Sequence, residues 1–164
     1  LSLDMGMFYK RRDYTSIIDG RNPIVAHEYL GPDLEGKDII VADDILSSGD
    51  SILDLAKELK KRKVNRIFPI VTFAFFTSGL EAFQEAYEQG LITKVISSNM
   101  TYRNPGLKDV KWFVEADISK YMAYLIATLN HDRSLNKLLN PYNRIKGLLD
   151  RYSAEQAASG IRLV

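Results

Sequence analysis

The sequence predicts an α/β fold: a mainly parallel sheet flanked by helices, with a C-terminal helical extension. Three observations carry this. Short apolar runs such as Ile39-Ile40-Val41-Ala42 show no polar alternation, as strands do when a parallel sheet buries both their faces. Those runs alternate with stretches whose apolar residues recur at helical spacing, the pattern of strand–helix–strand units. Glycine- and proline-bearing turns punctuate them. With 164 residues and 46% hydrophobic content, a single well-filled core is the default.

Taken in order, Leu3 to Tyr9 is apolar and aromatic and reads as a strand of the sheet. Arg11 to Asn22, with Gly20 and Asn22 before Pro23, reads as a loop or hairpin. Ile24 to Leu30 is the next strand, and Gly31 to Gly36 a turn. After the strand at Ile39–Ala42, Ser51 to Lys63 is a helix with Ile52, Leu55, Ala56 and Leu59 inward. Its closing lysines suit the C-terminal end of the helix dipole. Arg66 to Phe73 is a buried strand; Pro69 within it predicts a bulge or an edge on one side. Gly79 to Gly90 is a helix turned inward at Leu80, Phe83 and Tyr87. Ile92 to Ser97 and Lys111 to Ala116 are strands, with Trp112 and Phe113 read as core or interface. Asp117 and Ser119 are candidate caps for a helix over Lys120 to Leu129. Beyond Ser134 an amphipathic pattern runs to about Tyr152, through Leu135, Leu138, Leu139, Ile145, Leu148 and Leu149. That stripe predicts packing on the core or on a second subunit.

The chemistry concentrates in Lys37 to Ser51, KDIIVADDILSSGDS. A strand runs into two adjacent carboxylates, Asp43 and Asp44, then into Ser47-Ser48-Gly49-Asp50-Ser51, then into a helix. In open α/β sheets ligands bind at the carboxyl ends of strands. A loop feeding a helix N-terminus there offers amide donors and the positive end of the dipole to a phosphate. Gly49 permits φ > 0 and a close backbone approach. The carboxylates suit sugar hydroxyls or a shared divalent cation. A small phosphorylated sugar is the expected ligand. The plainer alternative is ordinary loop chemistry, with Ser51 only an N-cap.

VADDILSSGDS resembles the ribose-5-phosphate signature of the type I phosphoribosyltransferases and of the phosphoribosyl pyrophosphate (PRPP) synthetases. Ser48 stands at the first threonine of their TGGT-like loop, Gly49 and Asp50 at the two small positions, and Ser51 at the last threonine. Asp50 departs from that pattern by bringing a negative charge to the phosphate loop. Thr72-Phe73-Ala74 stands where the family usually carries Thr-His-Gly, so any role of that histidine is absent. Ser98-Asn99-Met100-Thr101 matches a second strand tip only at Asn99, a second candidate anion contact. Lys10-Arg11-Arg12 alone reads as a solvated basic turn. Beside the double-acid loop it resembles the K-x-R element of PRPP synthetases and narrows the resemblance to them.

The resemblance covers about Leu3 to Leu139. It implies a phosphoribosyltransferase-like domain over 1–139, corresponding to the C-terminal half of a ribose-phosphate pyrophosphokinase, and a helical tail over 140–164. The implied reaction moves the diphosphate of ATP to ribose 5-phosphate, giving AMP and PRPP. Asp43 and Asp44 would hold the ribose hydroxyls, Ser47, Ser48, Gly49, Asp50 and Ser51 the 5-phosphate, and Lys10 and Arg12 would close catalytically over the transferring group. Mg²⁺ would sit near Asp43 and Asp44 through bound substrate. A homo-oligomer is usual in the family. The chain opens at Leu1 in mid-pattern, so a piece of something longer is expected, with the ATP-binding N-terminal domain outside it and little activity of its own.

Composition excludes several classes. A formal charge of +1 gives no global footprint for nucleic acid. There is no cysteine for disulfides or thiolate metal sites, and with only two histidines a His-rich site is not expected. No apolar run spans a bilayer and no signal-peptide pattern is present. The expectation is a soluble cytoplasmic protein that meets neither nucleic acid nor membrane. Two alternatives remain beside the kinase half: a phosphoribosyltransferase that consumes PRPP, and a non-catalytic relative that binds sugar phosphate or partners.

Overall fold

The computed structural model describes residues 3–12 and 24–159; of 10–12, 24–27, 137, 157 and 159 it describes the backbone alone. The chain divides into two compact units, Leu1–Ala116 and Asp117–Val164. Leu139, where the sequence suggests a domain end, lies inside the second.

The first unit holds a four-stranded parallel sheet and a separate two-stranded ribbon. The ribbon is β1 (Met7–Arg12) against β2 (Ile24–Leu30), antiparallel, with Met7 opposite Leu30 and Lys10 opposite His27. The first strand was expected in the sheet over Leu3–Tyr9. It instead starts at Met7, continues through the basic residues and, among the described residues, pairs only with its sequence neighbour. The Phe8 and Tyr29 rings meet at a tilt of 38° with centroids 4.7 Å apart, and the Arg62 guanidinium lies 5.2 Å from the Tyr29 ring. The loop expected over Arg11 to Asn22 is corrected at Arg11 and Arg12, which lie in β1; its remainder, 13–22, lies outside the described residues.

The sheet order is β3-β4-β5-β6, built from β3 (Ile39–Leu46), β4 (Ile67–Ala74), β5 (Val95–Ser98) and β6 (Phe113–Ala116). Helices α1 (Asp50–Lys61) and α2 (Glu81–Glu88) make the crossovers, which parallel pairing requires. Ile52, Ala56 and Leu59 of α1 and Phe83 and Ala86 of α2 are buried at helical spacing. They join Ile67, Val71, Val95 and Trp112 in one core. Trp112 is fully buried, stacks on Phe83 at 5.5 Å and donates its indole N–H to Gln84 Oε1 at 2.9 Å. A buried indole needs such a partner.

Three local expectations change here. The run Ile39–Ala42 is not buried on both faces: β3 is the edge strand of its sheet, and Ile40 is 53% exposed. A continuous apolar run is equally compatible with an edge whose second face is open. Pro69 sits in an interior strand opposite Val41, with regular register and no bulge. The ladder to β5 begins one residue later, at Ile70 opposite Ile96. The acidic pair does not follow the strand but lies within it, since β3 continues to Leu46.

The second unit contains α3 (Ser119–Asn130), α4 (Asn136–Leu139) and α5 (Tyr142–Ser159), with the last two separated at Asn140-Pro141. Asp117 Oδ1 accepts from the Ser119 N–H at 2.9 Å at the start of α3. Within the unit, the Tyr121 hydroxyl donates to the Leu138 carbonyl at 3.2 Å. In the chain by itself Ile145, Leu148 and Leu149 of the apolar stripe are exposed. No helix among the described residues is long and apolar enough to cross a membrane.

Candidate functional site

β3 delivers Asp43 and Asp44 toward the carboxyl end of the sheet, with Asp43 opposite Val71 on β4. Both carboxylates are exposed. Asp43 Oδ1 accepts from the Asp44 N–H at 2.9 Å, and Asp44 Oδ1 accepts from the Ile45 N–H at 2.8 Å. Each acid thus spends one oxygen on the backbone and presents the other outward. Among the described residues neither forms an ion pair.

The loop that follows is tied down at its near end. The Leu46 carbonyl accepts from Phe75 N–H at 2.8 Å, and the Ser47 carbonyl accepts from Thr77 N–H at 3.0 Å. Gly49 then turns at φ +94° and is itself the N-cap of α1. Its carbonyl accepts from the N–H groups of Ile52 and Leu53, both at 3.0 Å. A side chain at Gly49 would collide with the Phe83 ring, which lies 2.2 Å from where a Cβ would stand. Glycine is required twice over, by conformation and by space. Ser51 is therefore not the N-cap. It lies in the first helical turn, where amides have no partner within the helix.

Asp50 is the first residue of α1 and is exposed. Its Oδ2 accepts from the Ser48 hydroxyl at 2.9 Å, and its own N–H lies 3.4 Å from Ser48 Oγ. The hydroxyl expected to meet a phosphate is thus engaged by a carboxylate of the same loop. A cavity of about 1320 Å³ is lined from β1, β3, β4 and α1 and takes in Asp43 and Ser51, while Asp44 and residues 47–50 are not on its wall. Its walls are largely apolar, including Met7, Phe8, Ile40 and Ile70.

The side chains of Lys10, Arg12 and His27 lie outside the described set; only their backbone is placed, in the ribbon. At the other candidate tip, the Ser98 hydroxyl donates to the Thr72 carbonyl. Beside it is a cavity of about 220 Å³, bordered by Ser97, Asn99, Thr101, Arg103 and Glu115. Arg103 and Glu115 form an ion pair at 3.1 Å across it. The sequence reading missed both. Glu115 stands at a strand's carboxyl end, which was the available signal; Arg103 lies in an irregular segment with no pattern to mark it.

Asp38, at the opposite end of β3, is held below its ordinary value of 3.8, chiefly by the hydrogen bond from Arg66. Among the described residues no cluster of three or more histidines or acids could hold a metal by itself. Two exposed carboxylates do suit Mg²⁺, which typically takes one or two carboxylates and completes its shell with substrate oxygens and water.

The parallel sheet, its crossover helices and the strand–acid–loop–helix passage define a type I phosphoribosyltransferase fold. A solved PRPP synthetase from Mycobacterium smegmatis superposes on 65% of the chain at a TM-score of 0.55 and 20% identity, covering 34% of that chain. Relatives by sequence are ribose-phosphate pyrophosphokinases. That of Shewanella oneidensis is 26% identical over 128 residues, 76% of this chain and 40% of its own length. That of Vibrio parahaemolyticus is 23% identical over 138 residues, 84% of this chain and 41% of its own. The Mycoplasma genitalium enzyme is 27% identical over 120 residues. This chain spans about two-fifths of the length of the first two of these relatives. No family model matches the sequence.

Proposed function

We propose that this chain is the ribose-5-phosphate-binding half of a ribose-phosphate pyrophosphokinase, the diphosphotransferase that makes PRPP and AMP from ATP and ribose 5-phosphate. One observation carries the reading: the exposed pair Asp43 and Asp44 stands two residues before a glycine-turned loop at the N-terminus of α1, with Asp43 and Ser51 on the wall of an open cavity. In this reading the outward oxygens of the acids accept hydrogen bonds from the ribose hydroxyls. The amides of Asp50 and Ser51, with Ser47, Ser48 and the turn at Gly49, take the 5-phosphate. Lys10 and Arg12 supply the cations that close over the transferring group; Arg12 can hold two oxygens at once, Lys10 one. Mg²⁺ joins the site through substrate oxygens near Asp43 and Asp44 and offsets charge on the phosphates. ATP is the co-substrate, its adenine pocket lying outside these residues. A cytoplasmic location and a homo-oligomer are part of the reading, and the exposed stripe of α5 is a surface for the latter.

Calorimetry on the purified chain tests this with ribose 5-phosphate, PRPP, AMP and free bases. Binding of ribose 5-phosphate without binding of bases is expected. Base binding would move the assignment to a PRPP-consuming transferase, and no heat with any ligand would leave a non-catalytic relative. Turnover of ATP and ribose 5-phosphate to AMP at ordinary enzyme rates would contradict the claim that this piece alone is incomplete.

A further inference from the structure

We infer that Asp50 is an internal competitor for the phosphate, so that this loop binds the sugar phosphate more weakly than its geometry allows. The inference rests on the proposed reading of the loop as the 5-phosphate site. A phosphate bound at the start of α1 would use the positive end of the helix and the Ser48 hydroxyl. Asp50 already uses both. It is the acidic residue of the helix's first turn, and its Oδ2 accepts from Ser48 Oγ at 2.9 Å. It forms no ion pair among the described residues.

Phosphate entering the loop therefore meets a carboxylate in its own position. It must take Ser48 away from that carboxylate and tolerate a like charge within a few ångströms, which costs binding energy even near the surface. The neutral end of the ligand is unaffected, because the ribose hydroxyls meet Asp43 and Asp44 instead. Asp50 thus lowers affinity for the phosphorylated sugar while leaving affinity for the bare sugar alone.

The test compares the chain with Asp50→Asn and Asp50→Gly, titrated with ribose 5-phosphate and with ribose. Asp50→Asn keeps an oxygen for Ser48 and removes only the charge. Asp50→Gly removes both and restores the small residue of the resembled loop. Ribose 5-phosphate affinity should rise about tenfold in Asp50→Asn and at least as much in Asp50→Gly, the scale of one charge-assisted contact. Ribose affinity should stay level, and the gain should shrink as salt is raised. Equal ribose 5-phosphate binding in all three proteins overturns this inference and leaves the sugar-phosphate reading standing. A parallel gain for ribose also overturns it, as general loosening of the loop. No ribose 5-phosphate binding in any of the three overturns both.

Discussion

Replacing Gly49 by alanine should damage the loop and the core together. The residue sits at φ +94°, where an L side chain strains the backbone by about 1–2 kcal/mol. The added Cβ would also stand 2.2 Å from Phe83 Cε2 and 2.3 Å from Cζ. That ring is fully buried, stacks on Trp112 at 5.5 Å and meets Phe76 edge-on at 5.1 Å, so it has little room to retreat. Overpacking of this kind costs about 1–3 kcal/mol. The sum, roughly 2–5 kcal/mol, lowers Tm by roughly 5–20 °C in a chain of this size. Urea and thermal denaturation followed by far-UV circular dichroism read it. Gly36→Ala is the control, because Gly36 has φ +72° but nothing within 4 Å of its Cβ position. It should show the backbone strain alone. If Gly49→Ala is no more destabilising than Gly36→Ala, the tight seat of the loop on Phe83 is refuted.

Asp43→Asn and Asp44→Asn, on exposed side chains, should leave Tm within a few degrees yet weaken ribose 5-phosphate binding about tenfold each, by calorimetry. Trp112→Phe should lose about 1–3 kcal/mol in urea unfolding, since it strips Gln84 of a donor and leaves a gap in a full core. This is the sole tryptophan, so circular dichroism must replace fluorescence as the probe. Asp38 titrates below 3.8 in the folded chain because Arg66 donates to it. Its lowered value adds stability that is fully present above about pH 4 and is lost as pH falls through the folded value. Asp38→Asn should therefore flatten the acid limb of a stability–pH curve, with wild type and variant converging at low pH. Leu148→Asp on α5 should reduce any self-association seen by sedimentation without lowering Tm, because Leu148 is exposed.

The alternation of strands and helices was legible because burial imposes its period directly on the sequence. β2 falls on Ile24–Leu30 as read, and α1 begins one residue before the expected Ser51. The positive φ of Gly49 was legible for the same kind of reason: few residues can serve such a turn. Strand order was not. The run Ile39–Ala42 carries no mark of which neighbour it has, and an edge strand with an apolar open face reads like an interior one. Pro69 misled because a missing donor need not distort the strand: the register with β3 runs through it unbroken, and the ladder to β5 starts at the next residue. Within the site, Asp50 was visible as a misplaced charge. Its capture of the Ser48 hydroxyl depends on a rotamer, which no spacing encodes. The Arg103–Glu115 pair joins residues twelve positions apart through an irregular segment, beyond any local period.

The central claim is that the turn at Gly49 receives a phosphate while the adjoining acids receive a pentose. An amide-resolved NMR titration with ribose 5-phosphate tests it most directly. The account predicts saturable shifts concentrated at Asp43, Asp44 and Ser48 to Ile52, with ribose alone moving only the two acids. Shifts confined to the Arg103–Glu115 cavity, or none at saturating ligand, would contradict it.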